Sequence, residues 1–190
     1  MKDYASTPEN LPVPQDDGAA NHLHGSHLPA VALTSTQGGR VDMSALNGYA
    51  VIYCYPMTGV PGVALPEGWD QIPGARGCTP QNLAYRDHYE QLHEIGIQVF
   101  GLSTQATAYQ QEMAERLHLP FAVLSDADMA FTNAMRLPTF QAAGMQLIKR
   151  LTLITKDAQV VAVKYPIFPS NSDAEWALNW LEGAVQSPPN

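Results

Sequence analysis

Seven consecutive apolar residues, Tyr49-Ala50-Val51-Ile52-Tyr53-Cys54-Tyr55, leave this chain few ways to fold. The run is aromatic and β-branched, and its length is that of a strand. With no wet position in it, the strand must be buried on both faces of a sheet. Both faces then need covering, and the rest of the chain supplies covers by alternation. Pro80 to Ile95 reads as a helix stopped by Gly96, and Ile97 to Ser103 as the next strand. Residues 107–118 read as a helix with Gln110, Gln111, Glu112, Glu115 and Arg116 on its wet side. Pro120 to Leu124 is a further strand, and Ala127 to Met135 a short helix. Leu147 to Thr155 and Val160 to Tyr165 form a hairpin about Lys156 to Gln159. A last helix runs from a cap at Asn171 or Ser172 to about Val185, with Trp176, Trp180 and Leu181 on its core-facing stripe.

Upstream, Leu28 to Leu33 is a short strand, Gln37 to Arg40 a turn, Val41 to Met43 a return strand, and Ser44 to Gly48 a helical turn. The expected architecture is α/β, a mixed central sheet flanked by helices on both faces, in one domain over residues 27–186. Residues 1–26 are rich in Pro, Asn, Asp, Gly and Ala without a sustained period, and read as a flexible arm. His22, His24 and His27 fall at its end and read as solvated linker, not metal ligands, since no Cys, Asp or Glu shares their short spacing. The tail from Ser187 to Asn190 reads as a frayed end, and Leu137 to Gln146 as loop, with Met145 at the start of a strand as the alternative.

The stretch after the central strand is irregular by construction. Prolines at 56, 61, 66 and 73 and glycines at 59, 62, 68, 74 and 77 exclude a helix or central strand there. A long loop over about 57–77, anchored by Leu65, Trp69 and Ile72, is a candidate lid or pocket wall. It leads into Arg76-Gly77-Cys78-Thr79-Pro80-Gln81. Pro80 suits a first helical position and Thr79 an N-cap, which sets Cys78 just outside a helix N-terminus. The unpaired N–H groups and the helix dipole there favour negative charge, and the thiolate is the reactive form of cysteine. Arg76 adds a positive charge nearby. Cys54, inside the apolar run, reads as a small core residue.

The formal charge of −8 argues against nucleic acid or an anionic membrane surface as the main partner. Local positive charge is still available from Arg76, Arg86 and Arg150. No apolar run is long enough to span a membrane, and no secretory signal is expected behind Met1-Lys2-Asp3-Tyr4. Two cysteines 24 positions apart make neither a disulfide framework nor a Cys-x-x-Cys pair, and point to a reducing compartment, the cytoplasm.

A cysteine at the N-terminus of the helix after the first central strand is the arrangement of a thioredoxin-like fold. Several segments then fall in a familiar order: Tyr53-Cys54-Tyr55-Pro56, Gly77-Cys78-Thr79-Pro80-Gln81, Ile97 to Ser103, Leu124-Ser125-Asp126, and Arg150-Leu151-Thr152-Leu153-Ile154. From about Leu28 to Leu181 the chain resembles a peroxiredoxin of the alkyl-hydroperoxide-reductase and thiol-specific-antioxidant class. The resemblance implies a thiol peroxidase acting on hydrogen peroxide or organic hydroperoxides, without cofactor or metal. Cys78 is then the peroxidatic nucleophile, and Arg150 the guanidinium that holds its thiolate and binds the peroxide. Gly77, Thr79 and Gln81 line the substrate site.

Three departures accompany the resemblance. Ala75 stands where a Thr or Ser is usual, and Thr58 is the candidate replacement hydroxyl if the loop folds back. The link from Pro56 to Cys78 is longer than usual, which makes 57–77 an insertion. Leu83 stands where the nearest branch often has its resolving cysteine. The implied chemistry is one-cysteine, resolved by an external thiol such as glutathione, a thioredoxin or a glutaredoxin-like protein. A homodimer is implied by analogy. The competing reading is a thioredoxin-fold redox sensor or partner-binding protein with little peroxidase activity.

Overall fold

The computed structural model describes residues 4–187. Its strands are β1 (Ala32–Ser35), β2 (Arg40–Asp42), β3 (Tyr49–Cys54), β4 (Gln98–Ser103), β5 (Ala122–Ser125), β6 (Thr139–Ala142), β7 (Met145–Ile148), β8 (Leu151–Lys156) and β9 (Gln159–Lys164). The helices are α1 (Cys78–Glu94), α2 (Thr107–Leu117), α3 (Ala130–Met135) and α4 (Ser172–Gln186). Seven strands form one sheet in the order β2-β1-β5-β4-β3-β8-β9. β3 pairs in parallel with β4 and antiparallel with β8, so the sheet is mixed and the apolar run lies inside it.

Alternation along β3 divides the core. Val51, Tyr53 and Tyr55 face a cluster with Tyr85 and Leu92 of α1, Met113 of α2, and Ala177 and Leu181 of α4. Ala50, Ile52 and Cys54 face the opposite cluster, with Leu23, Met43 and Phe131 of α3. Because successive strand side chains point to opposite faces, the two cysteines end up on different sides of the sheet: Cys78 packs with the first cluster and Cys54 with the second.

Three expectations are corrected. Residues 4–26 are not a loose arm. Leu23 is fully buried, and Gly25 N–H donates to the Val160 carbonyl at 2.8 Å while Val160 N–H donates to Ser26 at 2.9 Å. The arm lies on the edge strand β9 and satisfies backbone groups that would otherwise face water. Lys149 and Tyr165 fasten it further through Asp17, at 2.7 Å and 2.8 Å. Single apolar residues without a period gave no sign of this. Residues 1–3 of the arm and 188–190 of the tail lie outside the described residues.

The second correction is the stretch read as loop. Residues 139–148 form the β6–β7 hairpin, turned by Ala143 and Gly144, both at positive φ. The third is the long strand expected over 147–155. It breaks at Lys149-Arg150, with β7 on one side and β8 on the other. That break lets the Arg150 side chain leave the sheet. The β8–β9 turn falls where the sequence predicts, on Asp157 and Ala158, both at positive φ. No helix among the described residues is long and apolar enough to cross a membrane.

Candidate active site

Cys78 is the first residue of α1, and Gly77 is its N-cap. The sequence expectation of Thr79 as cap is off by two residues. The reason lies in Gly77, which takes φ +109 and has Ser170 pressed against it: a Cβ there would stand 2.1 Å from Ser170 Oγ. Only glycine starts a helix in that geometry. The shift moves the sulfur into the first turn and leaves the Cys78 and Thr79 N–H groups without intrahelical acceptors, while Gln81 N–H already reaches the Gly77 carbonyl at 3.1 Å. Pro80, having no N–H, removes the third orphan. Asn82 locks the turn from behind. Its amide donates to the Cys78 carbonyl at 2.8 Å, and its Oδ1 accepts from Tyr53 OH at 2.7 Å. Tyr53 stacks on Tyr85 with ring centroids 4.1 Å apart, which couples α1 to β3.

Arg150 reaches the sulfur. Its Nη2 donates to Cys78 Sγ at 3.2 Å and to the carbonyls of Ala75 at 3.1 Å and Gly74 at 3.3 Å. Its Nη1 donates to Gln81 Oε1. Arg150 is only 3% exposed. The expected alternative cations do not reach the sulfur: Arg76 pairs with Asp70 at 3.2 Å and lies over the Tyr4 ring, and Arg86 pairs with Asp87 at 2.9 Å. The Cys78 thiol also donates to the Ala75 carbonyl at 3.6 Å, an acceptor that does not replace the hydroxyl missing at position 75.

The crevice at Cys78 is closed by the arm and by the insertion, the segment the sequence offers as a pocket wall. Tyr4 from the arm, and Met57, Thr58, Gly59, Leu65, Trp69 and Arg76 from the insertion, line it with Gly77, Cys78 and Thr79. Its interior is about 10 Å³, room for about one water-sized molecule. Cys78 is 4% exposed. Tyr4 OH donates to the Val63 carbonyl, which ties the arm to the insertion. Leu65, Trp69 and Ile72 anchor the insertion as expected, in a small cluster with Leu147 and Phe140.

Of the predicted site residues, Cys78, Arg150, Gly77, Thr79 and Thr58 converge here. The loop does fold back and Thr58 borders the crevice, but its hydroxyl donates to Gln105 Oε1 at 3.3 Å. Gln81 is corrected. It has no exposed surface, and its amide is committed on both sides, accepting from Arg150 and donating to Asp173 Oδ2 at 2.7 Å. It holds the guanidinium and does not face substrate. Two residues escaped sequence reading: Tyr4, in a segment with no period, and Asp173, which as an acid in the first turn of a helix reads as ordinary dipole compensation. His88 of α1 is satisfied by the Ala84 carbonyl at 2.8 Å. Burial pushes the Cys54 thiol far up.

The Redoxin family model matches residues 23–178. Peroxiredoxin Q, chloroplastic, of Gentiana triflora is 30% identical over 132 residues, 66% of this chain and 54% of its own length. Peroxiredoxin Q, chloroplastic, of Oryza sativa subsp. japonica is 34% identical over 103 residues, 54% of this chain and 41% of its own. The chain thus spans about half the length of the curated relatives it matches. Peroxidoxin BcpB of Mycobacterium tuberculosis superposes with a TM-score of 0.68 at 22% identity, over 84% of this chain and 96% of its own. Peroxiredoxin Q of Xanthomonas campestris does so with 0.65 at 19% identity, over 91% and 97%. At these identities the likeness is one of fold, and the fold is thioredoxin-like.

Proposed function

Because the chain belongs to the Redoxin family and the relatives it resembles there are peroxiredoxins, we propose that it is a thiol peroxidase with Cys78 as nucleophile. The observation that carries this reading is the Arg150 Nη2 contact with Cys78 Sγ at 3.2 Å, at the α1 N-terminus whose first N–H groups have no intrahelical acceptor. The Cys78 thiolate attacks one peroxide oxygen. The O–O bond breaks, the S–O bond forms, and the leaving oxygen departs as hydroxide or alkoxide to be protonated. Sulfur is oxidised to sulfenic acid and the peroxide reduced to water or alcohol. Arg150, a fixed donor, and the N–H groups of Cys78 and Thr79 stabilise charge on that oxygen. Gly77 and Thr79 shape the entrance, and Thr58, held by Gln105, forms part of its wall.

The enzyme is of one-cysteine type. Cys54 and Cys78 lie on opposite faces of the sheet, both buried and unpaired, so a bond between them needs the sheet opened. An external thiol attacks the sulfenic sulfur, releasing water and leaving a mixed disulfide, and a second thiol restores Cys78. Glutathione, a thioredoxin or a glutaredoxin-like protein supplies it in the cytoplasm. The narrow crevice favours hydrogen peroxide over bulky organic hydroperoxides. Residues 27–186 form the catalytic body, the insertion being part of its wall; a homodimer is carried over from the resemblance alone, and sedimentation tests it.

The deciding experiment is stopped-flow oxidation by hydrogen peroxide, wild type against Cys78→Ser, with the product read by mass spectrometry. One added oxygen or a mixed disulfide on Cys78 is expected. A Cys54–Cys78 disulfide sinks the one-cysteine reading. A Cys78 no faster than a small free thiol sinks the peroxidase reading and leaves the sensor, which the near-complete burial of Cys78 favours.

A further inference from the structure

Behind Arg150 lies a buried acid. Asp173, in the first turn of α4, has no exposed surface. Its Oδ2 accepts from Thr152 Oγ1 at 2.6 Å, Gln81 Nε2 at 2.7 Å and Tyr85 OH at 3.1 Å. Its Oδ1 has no partner among the described residues. A carboxylate buried in this way is costly unless a cation balances it. Burial holds the Asp173 carboxyl above its ordinary value, and the Thr152 and Gln81 hydrogen bonds and the Arg150 charge offset part of that rise. That cation is one amide away. Gln81 donates through Nε2 to Asp173 and accepts through Oε1 from Arg150 Nη1. An ionised carboxylate only accepts and a guanidinium only donates, so the amide has one orientation that satisfies both.

We propose that Asp173 is a positioning residue: acting through Gln81, it is the counter-charge of Arg150, and holds the guanidinium with Nη2 on Cys78 Sγ. The proposal rests on the peroxidase reading for the meaning of the rate, though not for the geometry. Asparagine at 173 keeps an acceptor for the same three donors and removes the charge, at the cost of an amide NH2 where Oδ1 has no partner among the described residues.

The test compares Asp173→Asn, Gln81→Glu and the double variant in the full chain, with two readouts. One is the second-order rate of Cys78 oxidation by hydrogen peroxide. The other is the nitrogen–proton spectrum of the Arg150 guanidinium, identified by its loss in Arg150→Lys, which needs no peroxide chemistry. D173N is expected to be roughly tenfold slower, as for loss of one charged partner, with averaged Nη signals. The double variant puts the acid directly against Arg150, and is expected to return to within about threefold of wild type with resolved signals. A D173N variant equal to wild type in rate and spectrum overturns the proposal, and so does a double variant no better than D173N. If D173N alone does not fold, Gln81→Leu cuts the bridge from the other side, and an unchanged rate and spectrum there overturns it equally. If wild type itself does not outpace Cys78→Ser, the peroxidase reading fails, and the Arg150 spectra still decide this one.

Discussion

Replacing Arg150 with methionine keeps most of the apolar stem and removes every donor. The guanidinium gives Nη2 to Cys78 Sγ at 3.2 Å and to the Ala75 carbonyl at 3.1 Å, and Nη1 to Gln81. Loss of one hydrogen bond to a charged group costs about 1.5–3 kcal/mol. Loss of a fixed donor to the developing oxyanion costs about 2.7–4 kcal/mol in the transition state. The two overlap, because one guanidinium serves sulfur before attack and oxygen during it, and only the differential part slows the reaction. The expected barrier increase is therefore about 1.5–4 kcal/mol, a rate loss of roughly tenfold to a thousandfold. Arg150→Lys keeps the charge, but a single ammonium lacks the planar fork that spans Gln81, the loop carbonyls and the sulfur, so it should fall between. The assay is stopped-flow oxidation by hydrogen peroxide, with Cys78→Ser as blank and circular dichroism to confirm folding. Arg150→Met within about threefold of wild type would refute the assignment of Arg150 to the chemistry.

Other consequences follow from the same geometry. Tyr4→Ala removes a wall of the crevice and should raise the rate with cumene hydroperoxide relative to hydrogen peroxide; an unchanged ratio would show that the arm does not gate access. Gly77→Ala combines backbone strain at φ +109 with a contact on Ser170. Each effect is worth about 1–3 kcal/mol, so the urea midpoint should fall steeply, and Ser170→Gly should recover only the contact share. Asp17 is held at about 2, below its ordinary 3.8, by its hydrogen bonds from Lys149 and then Tyr165. A lowered folded value means the contribution is present above 3.8 and lost as pH falls toward 2. Its side chain is half-exposed, so the contribution is small, below about 1 kcal/mol. Protection of the amides in residues 4–26, taken relative to intrinsic exchange at each pH, should fall across that interval, and Asp17→Asn should abolish that fall. Finally, Cys54→Ala should leave the Cys78 rate unchanged, since Cys54 lies across the sheet; a large loss would tie Cys54 to the reaction.

The sheet and the nucleophile were legible in the chain itself because each depends on local chemistry. An unbroken apolar run from Tyr49 to Tyr55 has nowhere to go but a doubly covered strand. A glycine, a cysteine and a proline in that order mark a helix start with free N–H groups, even though the cap proved to be Gly77 in place of Thr79. What only the tertiary structure decided is everything carried by contacts between distant positions. The arm's burial depends on the edge of β9, which no periodicity in residues 4–26 announces. The strand break at Lys149-Arg150, which frees the guanidinium, interrupts a stretch from Leu147 to Thr155 that reads as one strand. The partners of that guanidinium are set by α1 and α4 packing on one face, which converts Gln81 from a substrate contact into a bridge and Asp173 from a helix-end acid into a buried charge. Local propensities are written in neighbouring residues, whereas the placing of a charge against a sulfur 72 positions away follows only once the sheet has brought them together.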